Sequence, residues 1–263
     1  MSPWAVAPGC TPACVTATAP RVPATEAARR CAALARTVAR SAALGERLTE
    51  PAVLRGEARA VLRALDVRTD PPGRGGPLAL PGPTGTLVVA NHISWLDVVV
   101  LLAAEPMVLL AKREVAAWPV VGALARRIGT RFIDRDGIRH LPLVVRELAA
   151  VLRSGRSVVV FPQATTWCTV PGGTFRRATF QAAVDAGAPV RPVTLDYLQR
   201  GAPSTVAAFL GDEGFGTSLH RVARAEGLYA RITAHPPLTG TDRRTLAAEA
   251  QRSVRRAESP VHA

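Results

Sequence analysis

Read for hydrophobic periodicity, the chain changes character near residue 76. From residue 86 onward, short apolar runs suited to buried strands alternate with stretches of helical period. The runs fall at 86–90, 107–111, 130–133, 157–161, 190–196 and 228–234, and the helical stretches at 95–104, 119–128, 138–153 and 175–186. Gly129, Gly155 and Gly187 stand where helices are expected to stop. This alternation predicts an α/β fold, a largely parallel central sheet flanked by helices, with ligands gathered at the carboxyl ends of the strands. Before it lies an N-terminal helical region. Over 24–48, Arg29, Arg36, Arg40 and Arg47 share one stripe, with Leu34, Val38 and Ala42 roughly opposite, and a second helix covers 51–65. The first helix reads either as a solvated helix lying on the domain or as a basic helix on an anionic membrane surface. The Pro71–Gly76 loop marks the entry to the main domain. The expected organisation is a flexible tail at 1–23, a helical and candidate membrane-associating region at 24–70, the main domain at 77–240, and a C-terminal helix and tail at 241–263.

Composition narrows the setting. Of the 263 residues 48% are hydrophobic, and the mean hydropathy is +0.15. Yet the longest apolar candidate, Val98 to Ala111, is broken by Glu105 and Pro106, so no membrane-spanning helix is expected. The first twenty residues carry no charge but are interrupted by four prolines, unlike a secretory signal peptide. The net charge of +13 implies a surface that attracts polyanions: anionic lipid headgroups, nucleic acid or phosphorylated substrates. Aromatics at 5%, with no helix-turn-helix, zinc or RNA-binding signature, argue against nucleic acid. Four cysteines are too scattered for a disulfide framework, and Cys10 and Cys14 lack nearby histidines or a second cysteine pair, so the spacing predicts reduced thiols in the cytoplasm and no metal.

Candidate chemistry begins at Asn91-His92-Ile93-Ser94-Trp95-Leu96-Asp97, between an apolar strand and a helix. A turn there can bring His92 and Asp97 together, so that the carboxylate holds the imidazole in one tautomer, the outline of a general base. Alone, the pair also reads as a structural contact. A second stretch holds Lys112-Arg113-Glu114, Pro119, Gly122 and Gly129 through Asp134-Arg135. An arginine at the end of a strand suits bidentate contact with phosphate, although an Asp134 or backbone interaction is an equal reading, and Arg131 is a second candidate. The third is Phe161-Pro162-Gln163-Ala164-Thr165-Thr166-Trp167, a polar loop after a buried strand. The fourth is Val190-Arg191-Pro192-Val193, a strand start whose proline limits ladder pairing. Trp95 and Trp167 flank these stretches, as core or as an acyl channel. The remaining histidines read as surface or structural, and Gly211–Gly216 as a plain loop.

In this order and spacing the four stretches resemble the 1-acylglycerol-phosphate acyltransferase family, the lysophospholipid acyltransferases, over roughly residues 84–200. The family pattern Asn-His-x-x-x-x-Asp is matched by Asn91, His92 and Asp97. The second block is matched by Lys112, Glu114, Pro119, Gly122, Gly129, Phe132, Ile133, Asp134 and Arg135. The resemblance implies transfer of a fatty acyl group from acyl-CoA or acyl carrier protein to the free hydroxyl of a lysophospholipid, with 1-acylglycerol-3-phosphate the leading acceptor. His92 would be the base and Asp97 its orienting carboxylate, with no cofactor, metal or enzyme nucleophile. Arg135, helped by Lys112, would hold the acceptor phosphate, and Gln163, Ala164 and Thr165 would line its pocket. A place at the inner face of the cell membrane, as a peripheral protein, follows from such substrates. The third block departs from the family's Phe-Pro-Glu-Gly-Thr: Gln163 replaces glutamate and Ala164 replaces glycine. The amide loses the charge, and alanine resists the positive φ that glycine allows. These changes admit another acceptor, such as an amino-acid lipid, or a silent membrane-binding homologue.

Overall fold

The computed structural model describes residues 9–15, 19–70, 76–134, 138–168 and 172–257. Strands β1 (Arg68–Thr69), β2 (Leu87–Ala90), β3 (Val108–Lys112), β4 (Arg131–Ile133), β5 (Val158–Val160), β6 (Val190–Gln199), β7 (Ala202–Pro203) and β8 (Leu228–Ala234) form one sheet. Its order is β1-β8-β6-β2-β5-β3-β4, with β7 paired to the end of β6. The pairs involving β2, β3, β4 and β5 are parallel, as is β1 with β8, while β6 meets β8 and β7 antiparallel. The α/β architecture is therefore the one the sequence predicts, largely parallel with one antiparallel side.

The central strands β2 and β5 are apolar along their whole length because both faces are covered. On β2, Val88 and Ala90 enter one core layer while Leu87 and Val89 enter the other. The first layer is closed by helices α1 (Ala24–Ala43), α2 (Pro51–Ala64), α3 (Leu96–Ala104) and α7 (Phe215–Arg224). The second is closed by α5 (Leu141–Arg153), α6 (Ala178–Ala186) and α8 (Arg243–Ala257). The short helix α4 (Val121–Arg127) sits between β3 and β4. Gly122 opens it: a β-carbon there would lie 2.3 Å from the Ala116 carbonyl oxygen, so only glycine lets the preceding 3-10 turn pack so close.

Two expectations change, the end of the first helix and the free tail. Helix α1 ends at Ala43 and not at residue 48, before Gly45, whose φ is +58. Its arginine stripe is largely neutralised, because Arg29 pairs with Glu26, Arg40 with Glu57 and Arg47 with Glu50. The helix packs on α2 and α7, in keeping with a helix lying on the domain, and Arg30, buried on its inner face, bonds Asp66 and the carbonyls of Ala223 and Ala225. Within the segment read as a tail, Val22 and Pro20 hydrogen-bond Arg224 and Glu226. Helix α7 was not legible, since glycines and a polar run hide its apolar spacing. Among the described residues no helix is long and apolar enough to cross a membrane.

Candidate active site

The turn after β2 is built by its first residue. Asn91 is buried, and its amide acts as an extra rung of sheet: Nδ2 donates to the Leu195 carbonyl at 2.9 Å and Oδ1 accepts from the Leu195 N–H at 2.7 Å. This fastens the end of β2 to β6 and starts the turn at His92. Asp97 lies in the first turn of α3, where the partial positive charge of a helix start favours a carboxylate. It is fully buried. Its Oδ2 accepts from the backbone N–H groups of Ile93 (2.7 Å) and Ser94 (2.9 Å) and lies 2.8 Å from His92 Nδ1. Its Oδ1 accepts from the Tyr197 hydroxyl at 2.7 Å. Nδ1 facing a carboxylate carries the proton, which leaves Nε2 as the basic nitrogen.

Tyr197 escaped the sequence reading because a tyrosine within an apolar strand looks like core. Burial first, and then the Asp97 carboxylate, push its hydroxyl well above the usual range, so it stays a donor. Tyr197→Phe removes one charge-assisted hydrogen bond and is expected to cost about 1.5–3 kcal/mol of stability in a denaturant titration.

The loop after β5 wraps His92. The Phe161 ring stacks on the imidazole with centroids 4.1 Å apart and planes 17° from parallel. Gln163 Oε1 accepts from the His92 N–H at 2.9 Å, and the Trp167 N–H donates to the His92 carbonyl at 2.8 Å. Gln163 is therefore a buried brace on the His92 backbone, a position where either an amide or a carboxylate oxygen can accept. Ala164 adopts φ +64 despite its β-carbon, so the glycine-like backbone is kept under strain. Left-handed backbone costs a non-glycine residue about 1–3 kcal/mol, of which glycine's greater freedom in the unfolded chain returns part. Ala164→Gly is expected to gain about 1 kcal/mol, read as a higher midpoint in thermal unfolding. Thr165 is half-buried in the same loop.

The loop before α7 closes another side. Its Phe209 N–H bonds the Ile93 carbonyl, and Arg221 braces it through the buried side chain of Glu213 and the carbonyls of Val206 and Ala208. Trp95 donates to Ser218 and meets Phe215 edge-on, and Trp118 packs on Phe209 and Phe215. The stretch around Gly211 that read as a plain loop is thus a braced wall beside the site.

The second block lies farther off. Lys112 ends β3 in an exposed position, and Arg113 pairs with Asp134 at 3.2 Å. Arg131 is exposed at the start of β4, and Arg135 lies outside the described residues. One strand separates β2 from β3, so Lys112 is displaced from His92 by two spacings, about 10 Å across the sheet. His140 and His220 are exposed, and His262 is outside the described residues. His235 is hydrogen-bonded to Thr194, with its imidazole held below the usual range by burial and then by Arg191. A cavity of about 670 Å³ opens at the other end of α3, lined by Arg55, Arg59, Leu62, Val100, Glu105 and Ile232, away from His92.

The sequence profile of the Acyltransferase family matches residues 76–196, which contain His92, Asp97, Lys112, Arg135, Gln163, Ala164 and Thr165. A 1-acyl-sn-glycerol-3-phosphate acyltransferase of Neisseria meningitidis serogroup B is 37% identical over 174 residues, 66% of this chain and 67% of that protein. The chain belongs to the lysophospholipid acyltransferase family. A second family relative, the lyso-ornithine lipid O-acyltransferase of Pseudomonas aeruginosa, is 39% identical over 171 residues, covering 64% of this chain and 66% of its own length. The chain thus spans about two thirds of the relatives it matches. The family fold recurs in the crystal structure of the 1-acyl-sn-glycerophosphate (LPA) acyltransferase PlsC from Thermotoga maritima. That chain has a TM-score of 0.51 and 19% identity, over 87% of this chain and 95% of the other.

Proposed function

We propose that this chain moves a fatty acyl group from a thioester, acyl-CoA or acyl carrier protein, to the free hydroxyl of a lysolipid, 1-acylglycerol-3-phosphate first. The observation that carries the reading is the His92–Asp97 pair, with Nδ1 on the carboxylate and Nε2 left as base. Nε2 takes the proton of the lysolipid hydroxyl as its oxygen attacks the thioester carbonyl. The imidazolium is stabilised by Asp97 and by the face of Phe161. When the tetrahedral intermediate collapses, the C–S bond breaks and the thiolate leaves with the proton from Nε2. Products are a diacylated lipid and a free thiol. The scheme uses no cofactor and no covalent acyl-enzyme.

Lys112 and Arg135 serve the acceptor's phosphate, Lys112 from the exposed end of β3. Membrane contact, as a peripheral protein on the inner face of the cell membrane, is supported near the same edge. Val120 is 50% and Val121 37% exposed, with exposed Arg113, Arg126 and Arg127 around them, a mixture suited to an anionic lipid interface.

A second acceptor, a lyso-ornithine lipid, is favoured by the 39% identity to the Pseudomonas aeruginosa enzyme. The purified chain with acyl-CoA or acyl carrier protein, assayed on lysophosphatidic acid and lyso-ornithine lipid by mass spectrometry of the products, separates the two. Diacylated product from either acceptor supports transferase chemistry and names the acceptor. Inactivity on both, with vesicle binding retained, identifies a silent lipid-binding homologue.

A further inference from the structure

Cysteine spacing along the chain predicts no metal, but the fold adds a third sulfur. Cys10 and Cys14, from the N-terminal segment, and Cys168, next to Trp167 in the loop that wraps His92, bring their Sγ atoms within 4.8 Å of one another. Cys10 and Cys168 are buried and Cys14 is half-buried. The Cys10 and Cys168 sulfurs are 3.2 Å apart, and the Cys168 N–H points at Cys10 Sγ at 3.5 Å. Sulfurs joined in a disulfide lie about 2.05 Å apart, and a disulfide would leave the third cysteine unused. The surroundings are apolar, with Val15, Ile93, Trp167, Ala208 and Leu210 packed about the cluster.

We propose that Cys10, Cys14 and Cys168 form a binding site for one soft d10 cation, Zn(II) or Cu(I). With metal–sulfur bonds of about 2.3 Å, thiolates arranged tetrahedrally or trigonally around one ion lie about 3.8–4.0 Å apart, so Cys10 and Cys168, now 3.2 Å apart, separate by about 0.6 Å on binding and stay within the 4.8 Å reach of the cluster. An all-sulfur donor set selects such ions over magnesium or calcium. The half-exposed Cys14 provides the entry side and room for a fourth ligand from solvent. Binding exchanges up to three S–H protons for one cation, with no change of oxidation state at sulfur. The ion touches no reacting atom. Its place is that of a staple, joining residues 10–14 to the loop whose Trp167 N–H holds the His92 carbonyl. Its loss therefore loosens the loop around the base. The inference is independent of which acceptor the enzyme uses.

The full chain, purified without chelator under reducing conditions, is to be analysed for metal by inductively coupled plasma mass spectrometry and for reactive thiols by maleimide labelling. The metal-stripped chain is then titrated with Zn(II), Cu(I) and, as a spectroscopic probe, Cd(II). Expected are one equivalent per chain, a thiolate-to-cadmium charge-transfer band, and protection of three thiols that a strong chelator removes. Chelator competition tells Zn(II) from Cu(I). Cys14→Ser, at the half-exposed position, and Cys168→Ser are each expected to weaken binding at least about tenfold, while Cys31→Ser binds as the parent does. Circular dichroism of Cys14→Ser confirms that its fold is retained. Failure of the reduced, folded chain to take up a stoichiometric ion, or binding by Cys14→Ser as tight as by the parent, overturns the proposal. So does a Cys10–Cys168 disulfide whose reduction releases thiols that bind no metal.

Discussion

The His92→Ala protein is expected to turn over about 10²- to 10⁴-fold more slowly than the parent chain, the range a positioned general base contributes. The loss is expected on kcat, because the proposed base acts on the hydroxyl proton as the C–O bond forms, while lipid binding would rest on other surfaces. The fold should survive. His92 is only partly buried, with 18% of its side chain exposed, and the turn is held by Asn91 and by backbone groups that alanine retains. Steady-state kinetics on the acceptor that the parent uses, beside circular dichroism of both proteins, reads the two effects separately.

The second large effect is expected at Asp97. Asparagine is nearly isosteric, and its carbonyl oxygen can take the place of Oδ2 and keep the hydrogen bonds from His92 Nδ1, Ile93 and Ser94. Its amide N–H₂ then takes the place of Oδ1 and donates to the Tyr197 oxygen, which accepts in place of donating. The geometry and the tautomer of His92 can persist while the negative charge is lost. Asp97→Asn thus isolates the electrostatic support of the imidazolium, and kcat is expected to fall by about 10²- to 10⁴-fold. Asp97→Ala is a poorer probe. It orphans the Tyr197 hydroxyl and the turn N–H groups around a fully buried site, so it is expected to unfold part of the chain before it reports on chemistry.

The parts of this site legible in the sequence are those made by local chain geometry. His92 and Asp97 are joined by one turn and a helix start, so their spacing already allowed the contact. The buried strands β2, β5 and β6 announced themselves as apolar runs because both faces of the sheet are covered. What escaped needs partners distant in sequence. Tyr197 reaches Asp97 across 100 residues, and nothing beside it in the chain marks it as polar in function. Helix α7 and the loop before it take their order from Arg221, Glu213 and the packing on Trp95, none of which makes a periodic signal. Gln163 was expected in the pocket wall because the family resemblance puts the third block there, and the structure adds that its side chain accepts from the His92 backbone N–H. For Ala164 the strain was foreseeable from residue type, while only the structure shows that the left-handed backbone survives it. Cys10 and Cys14 looked unremarkable because the third sulfur, Cys168, is 158 residues along the chain from Cys10.

If His92 acts as a base, as proposed, the acyl group passes directly to the lipid hydroxyl. Intact-protein mass spectrometry with acyl thioester in single turnover tests it. Without lysolipid the chain is expected to keep its mass and release no thiol. On addition of the lysolipid acceptor, thiol and diacylated lipid should appear in equal amounts. An acylated chain formed before the acceptor is added, and consumed when it arrives, would show instead a covalent acyl-enzyme and rule out direct transfer.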